Sequence, residues 1–141
     1  ARLTVVGEGT PRVLREFAGR DDIDLVGRAS CPLPYYQDAN VAVVPLRAGG
    51  GTRLKILEAM ALGRPVVSTP LGCEGLAVED GKHLLIANDA EGFAAAVARL
   101  LTDRALAGRL TLQARALVER GYDWTAIAER LLCVYDELLA V

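Results

Sequence analysis

The sequence predicts an α/β fold with a doubly wound parallel sheet and a helical C-terminal segment. Short strands alternate with helical stretches, and the strands are apolar throughout, as in parallel sheets that are covered on both faces. From Asp89 onward the apolar residues recur with the 3.6-residue period of amphipathic helices. Because ligands of such sheets bind at the carboxyl ends of the strands, the loops after Val6, Val26, Pro45 and Thr69 are the predicted walls of a site.

Five strands are predicted from short apolar runs, each of which is followed by Gly, Pro or polar residues. They are residues 3–6, 23–26, 41–45, 66–68 and 84–87. Thr10 is expected to cap the first helix, and either Asp123 or Thr125 the last one. The predicted helices run from Pro11 to about Gly19, over one or two turns within residues 33–39, from after Gly51 to Gly63, and from Asp89 almost to the end, with breaks near Thr102 and at residues 121–123.

Composition excludes several classes of function. The 141 residues, 52% of them hydrophobic and 24% charged, are typical of one soluble domain. A net charge of −2 gives no basic field that would attract nucleic acid. No apolar run approaches the roughly 18 to 20 residues of a membrane span, so a cytoplasmic protein is expected.

Cysteine and histidine are too sparse for a metal or disulfide framework. Cys31, Cys73 and Cys133 are dispersed, with no CxxC pair, and His83 is the single histidine. We therefore expect no metal site, and a turn role for His83. The chain begins with Ala1 and runs at once into a strand, which favours a fragment of a longer protein.

Two glycine motifs follow strands, and neither matches a standard nucleotide fingerprint. Gly7 and Gly9 could begin a GxGxxG motif, but its third glycine falls on Arg12. The triple glycine that starts at Gly49 lacks the Gly-Lys-Ser/Thr ending of a P-loop. It does place several backbone N–H groups and the positive end of a helix dipole at one point, which favours an anion such as phosphate.

The helix after the triple glycine carries the candidate side chains. On a helical wheel Gly51, Lys55 and Glu58 fall within about 60° of one another. Arg53 points away from that face, although its long side chain, in the first turn, can still bend round to a ligand. Because the helix is otherwise apolar, we expect it to be buried on most sides, so that Glu58 needs a partner. That partner is either Lys55, in an ion pair on a solvated edge, or the hydroxyl groups of a ligand.

Residues 54–69 resemble the core motif of the group-1 (family 4) glycosyltransferases of GT-B fold. In the family's order, the chain also has Val5-Val6-Gly7-Glu8-Gly9, Val26-Gly27-Arg28, Leu33-Pro34-Tyr35-Tyr36, Ala39 to Pro45, Glu79-Asp80-Gly81, Leu84-Leu85-Ile86 and Tyr122-Asp123-Trp124. The resemblance covers essentially the whole chain.

The resemblance implies the donor-binding, Rossmann-like C-terminal half of a GT-B enzyme. Residues 1–141 would then lack the N-terminal acceptor domain, together with the first strand and helix of their own domain. The implied activity is transfer of a sugar from a nucleoside diphosphate to an unknown acceptor, with retention of configuration and without metal or cofactor. The implied partners are the nucleotide-sugar donor, the acceptor and the N-terminal domain, through which membrane association stays open.

Site residues follow from the same resemblance. Glu58 matches the second glutamate of the family's Glu-x7-Glu motif, which binds the ribose hydroxyls, whereas the first glutamate, which touches the donor sugar, is replaced by Gly50. Arg28 matches the region near the base, and no catalytic residue is identified. Residues expected at the diphosphate are Gly49, Gly50, Gly51, Thr52, Arg53 and Lys55, while Gly7 and Gly9 are expected to line the cleft.

Two alternatives stay open. The first is a non-catalytic α/β module for nucleotide binding or assembly, which Gly50 in place of a glutamate favours. The second is a nucleotide-sugar epimerase of the same architecture. Tyr35, Tyr36 and Trp124 are expected to pack rather than to stack on a ligand.

Overall fold

The computed structural model describes residues 1–8 and 14–139. The chain divides into two compact units, Ala1–Asp38 and Ala39–Val141, and each is described by itself. Every strand pairing is parallel, and helices follow the strands, so the predicted α/β class is confirmed.

The first unit contains two strands. Strand β1, Leu3–Val6, pairs with β2, Ile23–Gly27, with Leu3 opposite Ile23. Helix α1, Leu33–Asp38, confirms the helical turns predicted there. The helix predicted up to Gly19 is wrong in its described part, which forms only a 3-10 turn, Arg15–Phe17, before the backbone extends at Ala18. Its predicted start at Thr10 and Pro11 lies outside the described residues.

The second unit is built on a three-stranded sheet. Strands β3, Ala42–Val44, β4, Val66–Ser68, and β5, Leu85–Ile86, lie in the order β3-β4-β5. Because β4 is the central strand, all three of its residues are buried. Helix α2, Leu54–Ala61, connects β3 to β4 and ends before Gly63, whose φ of +69° suits glycine.

Three helices end the chain: α3, Ala90–Thr102, α4, Arg104–Gly121, and α5, Trp124–Leu139. The predicted breaks are confirmed, because aspartate caps restart the helices. The Asp103 carboxylate accepts a hydrogen bond from the Leu106 N–H at 2.9 Å, and Asp123 accepts one from the Thr125 N–H at 2.8 Å.

The core of the second unit joins the sheet to α3 and α4. Val67 and Leu85 on the sheet pack with Leu100, Leu106 and Leu110 on the helices. Burying a leucine of this kind contributes about 1.5 to 3 kcal/mol. This packing fixes β4, and therefore the loops at its end.

Helix α5 departs from the sequence expectation. None of its described residues is buried, and its predicted apolar stripe is largely exposed, with Leu138 69% exposed. Trp124 is 80% exposed, so the packing role predicted for it is wrong. In the described part of the chain this helix contacts α4, and Ile127 of the stripe is half-buried, whereas Leu131, Val134 and Leu138 stay exposed. Within residues 1–8 and 14–139, no helix has both the length and the apolar character needed to cross a membrane.

Candidate functional site

The ends of β3 and β4 form the candidate edge. Val44 lies opposite Ser68 in the parallel register, so the two strands finish side by side. The chain leaves β3 through residues 45–53 and β4 through residues 69–75. We call these two segments the cradle. Both start at the carboxyl edge of the sheet, where ligands of parallel sheets bind.

Thr69 joins the two segments of the cradle. Its Oγ1 donates to the Leu46 carbonyl at 2.5 Å and accepts from the Gly72 N–H at 3.0 Å. Its own N–H donates to the Val44 carbonyl at 3.2 Å. Thr69 is buried, so these bonds are shielded from water and hold one loop against the other.

Gly72 allows the second segment to approach the end of β3. A Cβ at this position would lie 2.4 Å from the Ser68 Oγ and 2.8 Å from the Val44 carbonyl oxygen. Both distances are shorter than real Cβ contacts, and the carbonyl belongs to a buried strand. A side chain is therefore excluded there.

Two of the three glycines have a backbone geometry that only glycine readily adopts. Gly49 and Gly51 have φ values of +127° and +86°, and a Cβ on Gly50 would meet no atom within 4 Å. Among the described residues, the N–H groups of these three glycines donate to no protein acceptor. They are exposed immediately before α2, as an anion-binding turn requires.

Arg53 is the residue whose position the sequence did not predict. Its side chain is 7% exposed, although a charged residue at a helix start is ordinarily solvated. Its Nη2 donates to the Gly49 carbonyl at 3.4 Å and lies 3.6 Å from the Glu74 Oε2. The Arg53 side chain therefore contacts both segments of the cradle, at the Gly49 carbonyl and at the Glu74 carboxylate.

Lys55 and Glu58 are both exposed on α2. The helix buries one face, through Ile56, Ala59 and Met60, so the expectation that it is buried on most sides is wrong. The argument that burial forces Glu58 into a pair fails with it, because an exposed carboxylate is solvated. The shared exposure of Lys55 and Glu58 leaves both accessible to a ligand.

Three predicted site residues, Gly7, Gly9 and Arg28, belong to the first unit. The Arg28 Nη1 lies 3.9 Å from the Glu8 Oε1, and both side chains are 81% exposed. The Gly7 N–H donates to the Gly27 carbonyl at 2.7 Å. Gly9 lies outside the described residues. That these residues line the same cleft as the triple glycine stays a prediction.

The remaining polar candidates have structural environments. His83 is buried, and its Nδ1 accepts a hydrogen bond from the Glu79 N–H at 3.0 Å, which confirms a satisfied turn histidine. Burial is the main cause that lowers the pKa of His83. Burial also raises the pKa of the Cys73 thiol, so it is a poor nucleophile, while Cys31 and Cys133 are exposed.

The described residues form a further concave surface but no cluster of metal ligands. In the described ranges 1–8 and 14–139, no group of three His, Cys, Asp or Glu side chains is placed to hold a metal ion. A depression of about 500 Å³ lies beside β5 and the start of α3, and its lining includes Asn88, Gly92 and Arg99. It is separate from the cradle.

Sequence reasoning missed Ser68, Thr69 and Glu74 as parts of the site. Thr69 and Glu74 belong to the loop that the sequence marked as a site wall. However, Thr69 forms hydrogen bonds with Val44 and Leu46, and Glu74 contacts Arg53. These pairs join residues 21 to 25 positions apart. No local pattern reports such pairings.

Comparison with curated proteins gives relatives that span nearly all of this chain. It is 30% identical to the phosphatidyl-myo-inositol mannosyltransferase of Mycobacterium leprae over 145 residues, which cover 96% of this chain and 37% of the relative. It is 33% identical to the D-inositol 3-phosphate glycosyltransferase of Corynebacterium jeikeium, across 97% of this chain and 32% of the relative. The chain thus spans about a third of the length of these relatives.

Solved structures show the same fold. A sucrose-phosphate synthase from Thermosynechococcus elongatus matches 99% of this chain and 39% of its own, with a TM-score of 0.80 and 30% identity. Anabaena Alr3699/HepE, solved in complex with UDP-glucose, matches 96% of this chain and 41% of its own, with a TM-score of 0.80 and 17% identity. Both solved structures therefore share the α/β fold of this chain.

The family model described as glycosyl transferases group 1 matches residues 1–103, which include β1 to β5 and both segments of the cradle. The match agrees with the relatives and with the fold. The chain therefore belongs to the group 1 glycosyltransferases.

Proposed function

We propose that this chain binds a nucleoside diphosphate sugar at the cradle, as the donor domain of a glycosyltransferase. The observation that carries the proposal is the exposed triple glycine at the start of α2, with its N–H groups unengaged among the described residues. Anabaena Alr3699/HepE, which shares the fold, was solved with UDP-glucose, and this supports a donor of the same class.

The diphosphate is assigned to the glycine segment. The N–H groups of Gly49, Gly50, Gly51 and Thr52 precede a helix whose dipole attracts anions at this end. Lys55 adds an exposed cation in the first turn of the helix. Arg53 adds a positive charge from its buried position, and its contact with the Gly49 carbonyl keeps the turn in shape.

The ribose is assigned to Glu58. Its exposed carboxylate lies on the same helix, three residues after Lys55, and can accept hydrogen bonds from two adjacent hydroxyl groups. Arg28 and the Gly7 and Gly9 loop are assigned to the base and the cleft wall.

Transfer requires more than the donor site. The proposal includes retention of configuration, a metal-independent reaction, and an acceptor supplied from a second domain of the longer protein. None of the proposed donor-binding residues is assigned as a general base or nucleophile. We therefore expect the isolated chain to bind nucleotide weakly and to show no transfer by itself.

Calorimetric titration of the chain with UDP, GDP and ADP tests the donor site. At least one diphosphate is expected to bind, and Glu58→Gln is expected to weaken that binding about tenfold because the charge and one of the two oxygens that accept from the ribose hydroxyls are lost. Glu129→Gln, at an exposed position within α5, is the matched control and should leave the binding unchanged.

The same titrations can overturn the proposal. If none of the three diphosphates binds at millimolar concentration, and Glu58→Gln alters only the melting temperature, the chain is not a donor domain. That result would favour the non-catalytic assembly module, which Gly50 in place of a glutamate also favours.

A further inference from the structure

Arg53 is buried in a way that its packing does not explain. Its Nε is buried without a hydrogen-bond partner in the described part of the chain, although the guanidinium carries five N–H donors. Its hydrogen bond to the Gly49 carbonyl and its ion contact with the Glu74 carboxylate both involve Nη2. Unpaired buried donors destabilise a fold, so such an arrangement points to a role other than stability.

Glu74 is the exposed partner of this buried cation. Its side chain is 68% exposed, and its Oε2 lies 3.6 Å from the Arg53 Nη2, beyond hydrogen-bonding distance. An ion pair with one solvated member contributes little to stability. The pair therefore contributes little to the stability of the fold. It does hold an accessible carboxylate within the cradle.

The two contacts of Arg53 place Glu74 beside the glycine segment. One nitrogen, Nη2, touches both the Gly49 carbonyl and the Glu74 carboxylate, so these groups are no farther apart than the two contacts placed end to end. Position 50, which the family resemblance aligns with a glutamate expected at the donor sugar, holds a glycine in open space. The segment after β4 therefore supplies a carboxylate where the segment after β3 lacks one.

We propose that Glu74 binds hydroxyl groups of the transferred sugar, and that Arg53 is the positioning residue that holds the Glu74 carboxylate at the site. The inference rests on the proposed function, because it deepens the same donor site. A sugar joined to the terminal phosphate lies next to the diphosphate, and Glu74 lies next to the segment assigned to that diphosphate.

The chemistry distinguishes the two ends of the donor. A carboxylate accepts hydrogen bonds from sugar hydroxyls, whereas it repels a phosphate. Glu74 therefore favours the sugar without adding to diphosphate affinity. The buried guanidinium compensates the negative charge of the carboxylate and fixes its position against the turn.

The test compares each diphosphate with its sugar ester, by calorimetry on the whole chain. UDP is paired with UDP-glucose, GDP with GDP-mannose, and ADP with ADP-glucose. In Glu74→Gln, affinity for the sugar nucleotide is expected to fall about tenfold, while affinity for the diphosphate changes less than about twofold. Glu129→Gln is the control and should change neither affinity.

A second variant tests the inference by restoring a carboxylate at the site. Gly50→Glu adds a carboxylate in open space, so it is expected to preserve the melting temperature. Combined with Glu74→Gln, it should restore sugar-nucleotide affinity to within about threefold of the original chain. Arg53→Gln should lower affinity for the diphosphate, because its charge and its contact with Gly49 support the turn, and it should lower the sugar-nucleotide affinity further. The added Gly50→Glu should restore only that further loss.

The outcomes separate this inference from the donor-site proposal. If the diphosphates bind and Glu74→Gln weakens ester and diphosphate equally, or weakens neither, Glu74 is not a sugar ligand and the donor site stands. If no diphosphate binds, both are overturned.

Discussion

Gly72 tests how tightly the cradle is held against the end of β3. In Gly72→Ala the new methyl group would lie 2.4 Å from the Ser68 Oγ and 2.8 Å from the Val44 carbonyl oxygen. Making room breaks buried hydrogen bonds of Ser68 or Thr69, at about 1 kcal/mol each, and forces an overpacked contact that costs about 1 to 3 kcal/mol. We therefore expect a loss of about 2 to 4 kcal/mol in the free energy of unfolding.

Urea denaturation followed by circular dichroism measures this loss. Gly108→Ala is the matched control, because Gly108 is exposed within α4 and a Cβ there would meet no atom within 4 Å. The control should gain about 0.5 to 1 kcal/mol from helix propensity. A Gly72→Ala chain within about 0.5 kcal/mol of the original would refute the close approach.

Three further predictions concern the core, a buried histidine and the diphosphate. Leu110→Ala should lose about 2 to 5 kcal/mol in urea denaturation, against little change for Leu112→Ala, whose side chain is 72% exposed; equal losses would contradict the core assignment. Because the folded protein lowers the pKa of His83 from 6.5, stability is full above that pH and falls as the pH drops below it. His83→Asn, which keeps an acceptor but cannot be protonated, should flatten this fall between pH 7.5 and 5.5, and an unchanged slope would exclude His83 as its source. Lys55→Gln should weaken binding of a diphosphate about tenfold while leaving the nucleoside unaffected, and equal losses for both would exclude a phosphate role.

Elements whose ends carry strong local signals could be predicted from the sequence. Strand β4, Val66–Ser68, follows Pro65 and consists of buried residues, so its predicted bounds agree with the structure. The starts of α4 and α5 were readable because Asp103 and Asp123 are good capping residues. Gly63, at which the helix was predicted to end, has the positive φ that glycine adopts without strain.

Burial on α2 could not be predicted, because it depends on residues distant in the chain. Arg53 was expected to point away from the site face, but it is buried beside Glu74, while Glu58 is exposed. The apolar stripe of α5 was a correct reading of period, yet period alone does not show whether a partner covers it. For both helices, tertiary contacts rather than local preference decide the outcome.

Amide chemical shifts test the central claim most directly. The tightest-binding of UDP, GDP and ADP is added to the 15N-labelled chain until binding is saturated. We predict that the largest shift changes occur at the N–H groups of Gly49, Gly50 and Gly51. If the largest changes occur instead at Asn88 and Gly92, beside the depression next to β5, the ligand binds there, and a diphosphate site at the glycine segment is contradicted.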